Sequence, residues 1–126
     1  MTWLDALRHL NPEQIAVVHD PMTPRYQRAG VRLGYLLVHG VFLGHRGHDD
    51  LAEDQCVEVA VWAAAPSGVG DGYYACFRLF LDEYGAVEFA VLFAFYDGRD
   101  ASPGFATAEL ARTYSLTQGF HDEDQD

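Results

Sequence analysis

The sequence predicts an α+β fold with N-terminal helical segments, an antiparallel meander of four or five strands, and a C-terminal helix packed on one sheet face. Three observations predict it. Helix-start signals stand near the N-terminus, alternating apolar segments fill the middle of the chain, and a helix-forming segment, residues 105–115, follows the last connection rich in glycine and proline. With 126 residues, 49% of them hydrophobic, the chain is long enough to bury one core.

The N-terminal segment carries two helix-start signals. Thr2 and Asp5 have the spacing of a capping box, and the apolar residues that follow at helical spacing are Trp3, Leu4, Leu7 and Leu10. Asn11 and Pro12 form the second signal. Residues 15–19 fit either a helix or a strand, and this choice decides between four and five strands.

The middle of the chain is rich in β-forming residues. Strands are predicted over residues 31–43, 57–64, 73–81 and 86–96. The connections between and after these strands are predicted over residues 44–56, 66–72 and 97–104. We expect residues 1–118 to form one domain and residues 119–126 to form an acidic, disordered tail.

The hairpin between the last two strands has a predicted register. If Asp82 pairs with Ala86, the loop is residues 83–85, and Gly85 supplies the left-handed conformation that such a loop needs. The odd-numbered residues then share one apolar face, which burial favours. The predicted cross-strand pairs are Leu81–Val87, Leu79–Phe89, Phe77–Val91 and Ala75–Phe93.

The opposite face of this hairpin combines aromatic rings with charges. Arg78 is predicted to lie diagonal to Glu88, within reach of an ion pair. A face of this kind needs a partner, a returning segment or a ligand to cover it. The residues expected to bind a partner from this face are Trp62, Tyr74, Arg78, Phe80, Glu88 and Tyr96.

The charge is unevenly distributed along a chain whose net charge is −11. Residues 1–48 carry five Arg against three acids, and residues 49–126 carry three Arg against sixteen acids. The acidic part would repel phosphates, so we expect no nucleic-acid partner, whereas a basic protein partner fits. The loop acids expected to contribute to that surface are Asp49, Asp50, Glu53 and Asp54.

The sequence also bears on the cellular compartment. No run of about 18 apolar residues could span a membrane, and Cys56 and Cys76 are too few for a disulfide framework. We therefore expect a cytoplasmic protein with reduced thiols and no membrane association.

The stretch GHRGHDD, residues 44–50, places two histidines three residues apart, and an aspartate follows them. Imidazole nitrogen and carboxylate oxygen are zinc ligands, so His45, His48 and Asp49 form a metal-site hypothesis. Their spacing matches no established metal motif, and the glycines fit a polar loop equally well. The leading expectation is no cofactor, and zinc at these three residues is the alternative.

The catalytic roles that an enzyme needs are mostly unfilled in this sequence. Asp49 or Asp50 could orient His48, but no serine elbow, reactive-cysteine signature or phosphate loop accompanies them. We therefore expect a non-enzymatic protein.

Three functional hypotheses follow from these observations, and the third is a metal-dependent role of the loop that contains His45, His48 and Asp49. The first is a small, acidic protein-binding module of the immunity-protein, chaperone or inhibitor type, which forms a homodimer or binds a protein partner through the aromatic sheet face. The second is a small-ligand binding protein or enzyme with a cone-shaped curved sheet. Its predicted pocket residues are Glu58, Tyr74, Arg78, Glu88 and Tyr96.

Overall fold

A computed structural model describes residues 3–17, 33–47, 56–66, 72–97 and 105–121. It confirms the predicted α+β class: a five-stranded, mostly antiparallel sheet carries helices from the N-terminal part and a C-terminal helix. The strands are β1 (Ile15–Val17), β2 (Val41–Gly47), β3 (Cys56–Ala64), β4 (Gly72–Leu81) and β5 (Val87–Asp97), in the order β1-β5-β4-β3-β2.

The N-terminal segment forms helix α1 (Trp3–Arg8), a 3-10 turn (Pro12–Gln14) and then β1. Residues 15–17 are therefore a strand, and the sheet has five strands. β1 runs parallel to β5, with Ile15 opposite Ala90, so the sheet is antiparallel everywhere except at this edge.

The predicted strand over residues 31–43 is wrong for most of its length, because residues 33–39 are helical and form α2. Leu33, Leu36 and Leu37 have helical spacing, and Leu36 is fully buried in the core. Burial of this leucine face overrides the β-propensity of the segment. Only its end is a strand, because β2 begins at Val41 and continues through residues 44–47, which were predicted as loop.

The hairpin turn confirms the predicted loop. The Asp82 N–H donates to Ala86 O at 2.8 Å, Gly85 has φ 83°, and Leu81 lies opposite Val87. Beyond this pair the predicted register is wrong, because two register shifts each insert one residue into β5, so that Leu79 lies opposite Ala90 and not Phe89.

The two shifts keep β5 apolar on both sides of the sheet. The first face buries Val57, Val59, Val61, Ala75, Phe77, Leu79, Ala90, Leu92 and Phe95 against α1 and α2. The second face buries Ala60, Trp62, Tyr74 and Cys76, with Leu43 of β2, against helix α3 (Ala108–Thr117) and its flanking residues.

α3 begins and ends with recognisable caps. Thr107 Oγ1 accepts from the Leu110 N–H at the N-terminus. At the other end Gly119 has φ 91°, and the Phe120 N–H donates to Ser115 O at 3.0 Å, which is a Schellman motif. This turn directs Phe120 into the apolar cluster between α3 and the second face of the sheet, where its side chain is 3% exposed.

The residue after this turn extends the sheet edge. The His45 N–H donates to His121 O at 2.8 Å, and the His121 N–H donates to His45 O at 2.6 Å. Both residues belong to the segment that we expected to form the acidic tail, but Phe120 packs in the interior and His121 pairs with the outer edge of β2.

The close approach of Gly72 to the Trp62 ring generates a stability prediction. A Cβ at Gly72 would overlap the indole, whereas a Cβ at Gly34, in α2, meets nothing within 4 Å. We expect Gly72→Ala to lower the free energy of unfolding by about 1–3 kcal/mol through overpacking. The control Gly34→Ala should raise it by about 0.5–1 kcal/mol, since alanine favours a helix. Urea unfolding measures both, and an equal effect of the two changes would contradict the packing.

Candidate protein-binding face

The second sheet face is divided into two halves by α3. In the covered half, Trp62 is 8% exposed and Tyr74 is 1% exposed. Tyr74 is held by a 2.7 Å hydrogen bond between its hydroxyl and Ser115 Oγ, and its ring lies 5.2 Å from Phe105 and 5.6 Å from Tyr114. The returning C-terminal segment therefore covers this half, and the rings of Trp62 and Tyr74 belong to the interior.

The other half of the second face lies towards the β4–β5 turn and carries what we call the open patch: Arg78, Phe80, Phe89, Val91 and Phe93. The rings of Phe80 and Phe89 are stacked, with centroids 4.7 Å apart and planes 13° from parallel. Phe89 is 42% exposed. The Arg78 guanidinium lies 4.9 Å from the centre of the Phe93 ring, in cation–π geometry.

A buried carboxylate connects the open patch to the covered half. Glu58 is 5% exposed and lies between two guanidinium groups, 3.1 Å from Arg46 Nη2 and 3.8 Å from Arg78 Nη2. Arg46 also donates to Gln118 O and lies over the ring of Phe120. The carboxylate thus orders both arginines. It holds Arg46 against the end of α3, and it holds Arg78 in the open patch.

Sequence reasoning paired Arg78 with Glu88, and this pairing is not the one observed. Arg78 lies opposite Val91 and pairs with Glu58 across β3–β4. Glu88 is exposed in β5, at the register shift nearer the hairpin turn. The sequence analysis missed Arg46, because residues 44–56 were predicted as loop. A longer β2 in the sequence analysis would have found it. If that strand continues to residue 47, the antiparallel register places Arg46 directly opposite Glu58.

The remaining predicted site residues fall into two groups. Tyr96 is partly buried, with its ring 5.9 Å from that of Tyr74. The others lie outside the described residues and are His48, Asp49, Asp50, Glu53 and Asp54. Within the described ranges, no three His, Cys, Asp or Glu side chains are grouped to hold a metal ion. Because only His45 of the three zinc candidates is described, the zinc hypothesis stays a prediction.

Two clefts test the small-ligand alternative. One, of about 120 Å³, lies between the sheet and α3 and includes Tyr74, Cys76 and Tyr114 in its lining. The other, of about 510 Å³, is an apolar cleft between α1 and the β4–β5 turn. Its polar lining residues are His9 and Gln14, and both form hydrogen bonds within the protein. His9 Nδ1 donates to Asp5 O, while the Gln14 amide accepts from the Asn11 N–H and donates to Glu88 O. The larger cleft has the volume of a small-molecule site but few polar groups to orient a ligand.

The covered half holds titratable groups in their neutral forms. Burial raises the pKa of the Cys76 thiol from its usual 9.0 to about 11. Burial also raises the pKa of the Tyr74 phenol above its usual range, and desolvation raises that of Tyr114. A thiol with a raised pKa is a poor nucleophile at neutral pH, so Cys76 acts as packing.

No protein-family model, curated protein or solved structure matches this chain. In the part of the chain that the structure describes, no helix combines the length and the apolar character needed to cross a membrane.

The Glu58 cluster generates a prediction for stability. Glu58→Gln removes the charge that two arginines share in a buried position, so we expect the free energy of unfolding to fall by about 1–3 kcal/mol. Glu83→Gln, in the exposed hairpin turn, serves as the matched control and should change it by less than about 0.5 kcal/mol. Equal effects in urea unfolding would show that the buried carboxylate does not order the arginines.

The raised pKa of Cys76 generates a prediction for alkaline pH. The unfolded chain releases the thiol proton near pH 9 and the folded chain near pH 11, so stability is present below pH 9 and falls between these values. The slope for one such group is at most about 1.4 kcal/mol per pH unit. In urea unfolding at pH 8, 9 and 10, Cys76→Ala should flatten the decline, and Cys56→Ala, at a partly exposed thiol, is the control. A decline that Cys76→Ala leaves unchanged would contradict this assignment.

Proposed function

We propose that this chain is a small protein-binding module that docks a protein partner on the open patch. The observation that carries the proposal is the stacked Phe80–Phe89 pair next to Arg78, in which Phe89 is 42% exposed and Phe80 is partly buried. Aromatic and arginine side chains dominate the binding energy of protein interfaces. A contiguous aromatic surface exposed on a sheet is a common mark of a binding site.

The two halves of the second face differ in a way that supports binding at only one of them. Trp62 and Tyr74 already bury their surfaces beneath α3, whereas Phe89 remains 42% exposed. Arg78 is held beside the patch by Glu58 and Phe93, so binding would immobilise little side-chain freedom. The patch is thus ordered before a partner arrives.

The charge of the chain supports the same proposal. A net charge of −11 keeps the exposed Phe89 ring from nonspecific association. A cytoplasmic protein of the immunity, chaperone or inhibitor type would work in this way. The small-ligand alternative has less support, because the larger cleft has few polar groups that could orient a ligand.

The experiment that tests the proposal compares two matched surfaces of the chain. The immobilised protein is incubated with lysate of its source cells, and retained proteins, additional copies of the chain included, are identified by mass spectrometry. One variant carries Phe80→Ser and Phe89→Ser on the open patch. The control carries Leu116→Ser on α3, where the leucine is 47% exposed but lies outside the patch.

We expect at least one protein to be retained reproducibly by the wild type and by the α3 control, and to fall about tenfold or more with the patch variant, since hot-spot aromatic residues contribute about 2 kcal/mol or more each. Thermal unfolding verifies that each variant is folded. The proposal is contradicted if all three proteins retain the same set, or if nothing is retained above the bare matrix.

A further inference from the structure

The β4–β5 hairpin presents its charges and rings in a fixed order. Arg78 comes first, the stacked Phe80–Phe89 pair follows, and the turn then exposes Glu83 and Tyr84, with Tyr84 87% exposed. Glu83 is five positions after Arg78 and two beyond the end of β4, which is at most about 16 Å at the rise of an extended strand. Arg78 and the exposed Glu83 therefore lie on either side of Phe80 along the hairpin.

We infer that the partner on the open patch is a second copy of this chain, related by a two-fold axis that passes near the Phe80–Phe89 pair. The inference rests on the function proposed above. A two-fold rotation about the centre of this surface exchanges its ends, so that Arg78 of one copy meets Glu83 of the other. The same rotation brings the two stacked ring pairs together, which buries the exposed edge of Phe89.

The distribution of charge favours a second copy over an unrelated basic protein. A basic partner would match the acidic turn but would bring like charge to Arg78, which has the greater exposure of the two guanidinium groups around Glu58. A second copy matches both ends of the surface at once. Like charges that face each other at an interface weaken binding. The charges at both ends of the surface therefore favour a second copy over a basic protein.

The two-fold interface has a distinctive dependence on salt. Each chain carries a net charge of −11, so two copies repel each other over a distance that salt shortens. The Arg78–Glu83 pairs between the copies act over a short distance next to the aromatic rings, so salt screens them less than it screens the net charge. Raising the salt concentration should therefore leave the dimer as strong or strengthen it, whereas a complex with a basic partner should weaken.

Sedimentation equilibrium of the full chain tests the inference. The patch is small, so we expect self-association with a dissociation constant on the order of 1–100 µM. The mass should rise from the 14.0 kDa of one chain towards twice that value, and should not fall between 50 and 500 mM salt. Phe89→Ser should weaken the dimer about tenfold or more, and the control Leu116→Ser should leave it unchanged.

A double-mutant cycle tests the pairing itself. Within one chain Arg78 and Glu83 are too far apart for their effects to couple, so any coupling in dimerisation arises between copies. We expect Arg78→Gln and Glu83→Gln each to weaken the dimer about threefold to tenfold, and the double variant to weaken it no more than either alone. Additive effects would contradict the two-fold arrangement.

Two further outcomes overturn the inference. One is a chain that stays monomeric up to millimolar concentration, and the other is a dimer that Phe89→Ser leaves intact. If a patch-dependent partner is still retained from lysate in either case, the second copy is refuted and the proposed function stands. If retention is also independent of Phe80 and Phe89, both fail.

Discussion

The packing of α3 against Tyr74 is the interaction on which the rest of the second face depends. The sheet is apolar on both sides, and α1 and α2 can cover only the first. The 2.7 Å hydrogen bond from the Tyr74 hydroxyl to Ser115 satisfies the one polar group that the ring brings into this interior. With α3 fixed there, one half of the face becomes core and the half nearer the hairpin turn remains a surface.

Glu58 marks the boundary between the two halves. A buried carboxylate is unfavourable unless it is paired, and here two guanidinium groups pair it. Arg46 extends from it towards the Schellman turn that ends α3, and Arg78 extends over the partly buried ring of Phe93. The same carboxylate thus supports the closure of one half of the face and the order of the other.

The sequence predicted the structure correctly where the local residues allow only one conformation. Gly85 and the need to bury odd-numbered residues fixed the turn, but the run of apolar residues in β5 offers both faces equally, so nothing local marked the register shifts. The segment of α2 contains β-forming residues and Gly34, with Gly40 directly after it, and only the spacing of Leu33, Leu36 and Leu37 indicated a helix. Arg46 was missed as a consequence, because its strand was taken for a loop.

The measurement that tests the division of the face most directly is hydroxyl-radical footprinting, read residue by residue by mass spectrometry at two protein concentrations. At low concentration we expect fast modification of Phe89 and slow modification of Tyr74 and Trp62. At high concentration Phe89 should become protected, while Leu116 should not. Modification of Tyr74 as fast as that of the exposed Tyr84 would contradict the covered half, and a Phe89 that reacts equally at both concentrations would contradict the open patch as a contact between copies.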